Sequence, residues 1–154
     1  MTECIAVTGS RIWSDSRTIA LTLARYDTTP APTLRHGCAQ GADTLAAREA
    51  ERLGWRVEPY PADWKGPCAP GCPPDHRKPR KNGPGTYCPL AGHRRNQEMV
   101  AARPRLDLVL AFNLGTSGTA DMMRRAKRAG IEVIPIVPGL FIPGPLEDAG
   151  GWEE

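Results

Sequence analysis

Little in this sequence would suit a membrane or an oxidising compartment. Its 154 residues contain no run of about 18 consecutive apolar residues, which leaves no candidate for a membrane-spanning helix. Aromatic residues make up only 6% of the chain, so a core has to be built from aliphatic and small side chains. The opening Met1-Thr2-Glu3-Cys4-Ile5 lacks the basic region and long apolar stretch of a secretory signal. A reducing cytoplasm is therefore the expected setting, and the five cysteines are not expected to form disulfides. Also absent are the glycine-rich dinucleotide fingerprint and the P-loop, which removes the main support for an ordinary NAD-dependent dehydrogenase or an ATPase.

What is present points to one folded domain. Its length falls within the roughly 100–200 residues of a single domain, and charged residues, at 24%, are at an ordinary globular level. The net charge of +3 is unevenly spread: residues 65–95 hold seven Lys or Arg against one acid, a local +6, and the rest of the chain carries −3. Such a patch attracts phosphate-bearing partners, or it is a solvated basic loop.

Apolar runs and helical spacings alternate along the chain. Strands are expected at Cys4–Thr8, Thr33–His36, Trp55–Tyr60, Leu106–Phe112 and Ile131–Val137. Helices are expected from Asp15 or Ser16 to about Tyr26, then over Ala42–Leu53, Pro89–Ala102 and Thr119–Ala129. Alternation with short turns implies right-handed crossovers and a parallel sheet covered on both faces. The expected fold is α/β, a Rossmann-like three-layer sandwich with a mainly parallel sheet of about five strands over residues 1–137. Residues 65–89 interrupt it: 11 of these 25 are Pro or Gly, which reads as an irregular insertion. Residues 138–154 read as a Pro/Gly-rich tail over the surface.

In such a sheet, ligands sit beyond the carboxyl ends of the strands, where helix N-termini present unpaired amides. Three turns have the right composition: Thr8-Gly9-Ser10-Arg11, His36-Gly37-Cys38-Ala39-Gln40-Gly41-Ala42-Asp43, and Gly115-Thr116-Ser117-Gly118-Thr119. Any one of them could be glycine-rich for steric reasons alone. The role proposed for them collapses if they lie far apart or if apolar side chains fill the space between them.

These turns, together with Trp13 and Asp15, Pro61-Ala62-Asp63-Trp64, Ala91-Gly92-His93-Arg94-Arg95-Asn96 with Met99, and Ala120-Asp121-Met122, resemble the YspA-related branch of the SLOG superfamily over about residues 4–137. The resemblance implies a Rossmann-like fold that recognises nucleotides or nucleotide-derived ligands, and a homodimer is compatible with it. Carried over by position, it implies a ligand shell of Gly9, Ser10, Arg11, Gly37, Gly41, Asp43, Arg95, Asn96, Gly118 and Thr119. Two positions depart from the pattern. Cys38 stands where the branch resembles Gly, and Met122 stands where the related LOG phosphoribohydrolases carry their catalytic glutamate. Asp121, one residue earlier, lies about 100° around a helix and does not replace it. Asp43 and Asp121 each read equally as first-turn acids favoured by the helix dipole or as ligand contacts. Trp64 reads as packing or as a stacking face.

Within the insertion, Cys68, Cys72, His76 and Cys88 have the donor types and short spacings of a tetrahedral Cys3His zinc site, with His93 as a competing fourth ligand. A loop this rich in Pro and Gly buries little apolar surface to offset its ordering entropy, and a metal would supply that deficit. A closed four-ligand site is structural, because no position stays open to activate water. Cys4 reads as a small buried hydrophobe. Cys38 reads as a turn residue, with a nucleophile as the minor alternative.

Three functions are compatible with these residues. The first is binding or sensing of a nucleotide-derived phosphate ligand. The second is hydrolysis of an N-glycosidic or phosphoester bond, with Asp43, Asp63 or Asp121 orienting water. The third is single-stranded nucleic-acid binding through the basic insertion and Trp64.

Overall fold

In the computed structural model, which describes residues 2–139, a five-stranded sheet is covered by helices on both faces. The elements are β1 (Cys4–Gly9), α1 (Ser16–Ala24), β2 (Thr33–His36), α2 (Ala42–Arg52), β3 (Arg56–Pro59), β4 (Lys78–Pro79), β5 (Thr86–Tyr87), α3 (Ala91–Ala101), β6 (Leu108–Phe112), α4 (Ser117–Arg128) and β7 (Glu132–Ile136). The sheet order is β3-β2-β1-β6-β7, with every pair parallel. The expected α/β architecture and strand count are those found. The Pro/Gly-rich tail lies outside the described residues except for Pro138 and Gly139.

The two-residue period of β1 divides the core. Ile5 and Val7 face one side, where they join Leu108, Leu110 and Phe112 of β6 beneath α1 and α2. Cys4 and Ala6 face the other, with Val109, Met99 of α3 and Met122 of α4. Helix α2 presents Ala42, Ala46 and Ala50, all fully buried, as a narrow stripe that lets its backbone come close to the sheet. Trp13 supplies much of the scarce aromatic volume, packing edge-on against Phe112 at 5.3 Å between ring centroids. Pro59 and Pro135 stand in β3 and β7, the two edge strands, where a missing amide removes no ladder bond needed by a neighbour.

The insertion is not wholly irregular. Lys78–Pro79 pairs antiparallel with Thr86–Tyr87 to make a small ribbon, too short for any sequence periodicity to reveal. Arg77 ties the ribbon to the strand-end loop, donating to Thr86 Oγ1 at 2.9 Å, to the Thr86 carbonyl at 3.1 Å and to the Gly66 carbonyl at 2.8 Å.

The connections after β1 run outward through β2 to β3, and the chain then crosses back to β6 and β7 on the other side of β1. The reversal leaves a crevice at the carboxyl ends of β1 and β6, where Gly9 pairs with Phe112.

Candidate nucleotide site and metal cluster

A cavity of about 380 Å3 occupies that crevice, and all three glycine-containing turns line it: Thr8, Gly9 and Arg11 from the first, Gly37, Ala39 and Asp43 from the second, Thr116 to Thr119 from the third. Trp64 and the start of α3, with Gly92, His93, Arg95 and Asn96, complete the wall. The space between the turns is therefore open.

The helix starts differ in a telling way. Helix α1, away from the cavity, is capped by Asp15, whose carboxylate accepts from the Thr18 amide at 3.0 Å. Helices α2, α3 and α4 have Gly41, Leu90 and Thr116 at the capping position and no side-chain cap bond. First-turn residues of all three line the cavity. Uncapped first turns leave amide donors without intrahelical partners and concentrate the positive end of each helix dipole there.

Two residues expected in the ligand shell hold the corners together instead of lining the cavity. Ser10 is fully buried, and its Oγ accepts from the Leu114 amide at 3.1 Å, joining the first turn to the third. Gly41 has φ +74°, and a Cβ there would stand 2.4 Å from the Ser10 carbonyl oxygen, so its role is close packing of the second turn on the first. Gly9 combines both roles: it lines the cavity, and an added Cβ would meet the Ala42 Cβ at 2.4 Å and the Phe112 carbonyl at 2.8 Å.

Arg95 lies across the second turn, donating to the carbonyls of Gly37 and Tyr60 and, through Nε, to Asn96 Oδ1 at 3.0 Å. Asn96 in turn donates to Asp121 Oδ2 at 3.0 Å. Asp43 is 4% exposed, and its Oδ2 accepts from the Gly37 amide at 2.8 Å. Burial pushes the Asp43 carboxyl up to about 6, against the opposing pull of these amide bonds and of Arg95 and Arg11. Thr119 lines the cavity with its hydroxyl 2.9 Å from that of Thr116.

Asp121 does not face the cavity. It is buried in a network with Arg125 at 2.8 Å and Asn96. Burial raises its pKa, but Arg125, Asn96 and His93 outweigh that and the net shift is downward. Asp63 is exposed, and it accepts from the Gly66 amide at 3.1 Å. Cys38 has φ +59°, the left-handed backbone that favours glycine, which accounts for the Gly-like position. Its thiol is pushed up by burial and by Asp43, the opposite of what activates a nucleophile. The sequence reading passed over Thr116, Ser117 and Gly92 as lining residues. The first two stood inside the third turn, but nothing in sequence separates a lining hydroxyl from a structural one.

Beside the cavity, Cys68, Cys72, His76 and Cys88 bring their donor atoms within 4.8 Å of one another. A tetrahedral centre with metal–sulfur bonds of about 2.3 Å spaces its ligands about 3.8 Å apart. Cys72 Sγ and Cys88 Sγ are 3.8 Å apart, and Cys88 Sγ and His76 Nε2 are 3.5 Å apart. The four residues therefore fit a metal ion. His93 points elsewhere, with its Nδ1 3.9 Å from Asp121 Oδ1. Arg94 donates to Cys72 Sγ and Cys88 Sγ, both at 3.3 Å, which offsets the negative charge of clustered thiolates. Among the described residues, no helix is long and apolar enough to cross a membrane.

Comparison with known proteins agrees with this architecture. The sequence pattern of the YspA, cpYpsA-related SLOG family matches residues 4–66, from β1 to the edge of the insertion. The Gene 61 protein of Mycobacterium phage D29 is 37% identical over 138 residues, covering 84% of this chain and 93% of its own length. Among solved structures, DNA processing protein A (DprA) from Streptococcus pneumoniae superposes with a TM-score of 0.62 at 19% identity, over 96% of this chain and 52% of that one. The chain thus spans about half of that protein. The protein designated TM1055 superposes with a TM-score of 0.56 at 17% identity, over 85% of this chain and 72% of its own. At such identities the two structures speak to the fold, and the fold, the family pattern and the phage relative converge: this chain is a member of the YspA-related SLOG family.

Proposed function

We propose that the chain binds a nucleotide or nucleotide-derived phosphate ligand in the crevice beyond β1 and β6. The observation that carries this reading is the convergence of three uncapped helix starts on one cavity that also holds Arg11 and Arg95. Amides of the α4 first turn, around Gly118 and Thr119, suit a phosphate group, because they offer donors and dipole charge together. Gly9 borders the crevice, and its missing Cβ lets α2 and β6 pack closely enough to place the turns around it. The cavity volume lies near the low end of the roughly 300–1,000 Å3 usual for small-ligand sites, a size suited to one nucleotide unit.

The test is calorimetric titration of the folded protein with AMP, CMP, GMP, UMP and ADP-ribose. Arg11→Ala is the informative variant, since Arg11 is exposed and belongs to neither core cluster. Losing a charge-assisted bond of about 1.5–3 kcal/mol should weaken binding about 10- to 100-fold. No binding by any of the five at millimolar concentration, or equal binding by Arg11→Ala, would overturn the proposal.

A hydrolytic reading keeps one supporting observation. Asp43 is the carboxyl group that faces the cavity, and its pKa of about 6 suits proton transfer near neutrality. Asp63 and Asp121 are engaged elsewhere. Product formation from a bound nucleotide, lost in Asp43→Asn, would promote this reading over binding alone.

We infer as well that the Cys3His cluster holds zinc in a structural role. Three thiolates and an imidazole are a donor set that favours zinc, and four protein ligands close its coordination. The metal would order an insertion that has little core of its own.

A further inference from the structure

The nucleotide-sized cavity does not end at Trp64. A second depression of about 550 Å3 continues past it, lined by Arg11, Lys65, Arg80, Lys81 and Tyr87, and it shares Arg11, Trp64 and Pro89 with the first. Arg11 is held over the Trp64 ring at 5.6 Å from its centroid, and Tyr87 packs against Trp64 at 6.0 Å. The β4–β5 ribbon supplies Arg80, Lys81 and Tyr87 at this wall. Its far end is tied to Trp64 by a bond from the Cys88 amide to the Trp64 carbonyl at 2.9 Å.

Close ion pairing leaves these cations aside. Among the described residues, the ion pairs involve Arg35, Arg52, His93, Arg124 and Arg125, and none involves Arg11, Lys65, Arg80 or Lys81. Among the described residues, no carboxylate lines the second depression. Arg80 gives one bond, to the Pro84 carbonyl at 3.3 Å, whereas Arg77 makes three bonds that hold the ribbon together and belongs to the scaffold. Four cations around a concave surface with an aromatic wall have the charge and shape that attract a phosphate and the group attached to it.

Resting on the nucleotide reading of the first cavity, we propose that this depression is a second phosphate subsite, and that the preferred ligand carries two phosphate-linked nucleoside units. One unit fills the crevice. The other lies on the ribbon, with its phosphate among Arg80, Lys81 and Lys65. A pyrophosphate-linked dinucleotide and the end of a single strand share this chemistry.

The test compares three probe sets on the zinc-loaded full chain: AMP, CMP, GMP and UMP; the matching 5′-phosphorylated dinucleotides; and the matching pyrophosphate-linked dinucleoside diphosphates. Wild-type protein should bind at least one class of two-unit ligand tenfold or more tightly than its mononucleotide. The phosphodiester and pyrophosphate arms identify the linkage. The double variant Arg80→Ser, Lys81→Ser should lose that gain while keeping wild-type affinity for the mononucleotide. Salt dependence of wild-type binding, steeper for the two-unit ligand, provides a readout that needs no variant. Mononucleotide binding without any gain from the second unit, or a gain that survives in the folded double variant, overturns the subsite and leaves the first cavity's assignment standing. Failure of mononucleotides and two-unit ligands alike overturns both.

Discussion

Replacing Asp43 with Asn isolates the most perturbed acid in the cavity. The wild-type carboxyl moves from an ordinary value of 3.8 to about 6 on folding, chiefly through burial. The native state therefore binds the proton more tightly than the unfolded chain, and linkage makes this group's contribution to stability fall as pH rises. The contribution is fully present below the unfolded value and is lost as pH climbs through about 6. A shift of roughly two units at about 1.4 kcal/mol each amounts to about 3 kcal/mol, of which about 2–3 kcal/mol lies between pH 4 and pH 7.5. Asparagine can still accept from the Gly37 amide but does not titrate. Denaturant unfolding of both proteins at half-unit pH steps gives the difference curve, Asp43→Asn minus wild type. That curve should rise by about 2–3 kcal/mol from pH 4 to 7.5, with its midpoint displaced well above 4. Its slope is insensitive to any constant cost of the substitution. A flat or falling curve would refute the argument that burial governs this carboxyl.

Two further outcomes follow from packing and from the metal cluster. Gly9→Ala forces a methyl group against Ala42 and the Phe112 carbonyl, both in elements that cannot easily move. Overpacking of about 1–3 kcal/mol should lower the melting temperature by about 3–10 °C, measured by differential scanning calorimetry, and an unchanged melting temperature would show that β1 and α2 can separate. Purified protein should contain one zinc per chain by elemental mass spectrometry, and Cys88→Ser or a strong chelator should remove it. Hydrogen exchange should then accelerate over residues 65–89 but not in β1 or β6; metal-free protein with an already protected insertion would contradict the structural role.

The architecture was legible in the sequence because its signals are local. The buried run Leu108–Phe112, the alanine spacing of α2 and the glycines at the ends of β1, β2 and β6 all follow from the geometry of one element, and boundaries fell within a few residues of those observed. Helix α4 begins two residues earlier than its apolar stripe suggested, which brings Ser117 and Gly118 into the first turn. The metal cluster was also legible, since ligands close in sequence are confined to a small volume. Choosing between His76 and His93 was not, because the choice depends on where α3 lies.

Residue type alone established the strands, the helices, the basic insertion and the four metal-type donors. Tertiary structure alone separated Gly9, which borders the cavity, from Gly41 and Ser10, which lock the corners. It alone withdrew Asp121 into an ion-paired network and placed the ribbon's cations beside Arg11 and Trp64. The reason is physical: propensity and periodicity act over a turn or two of chain, whereas exposure, desolvation and charge compensation depend on neighbours contributed by segments tens of residues away.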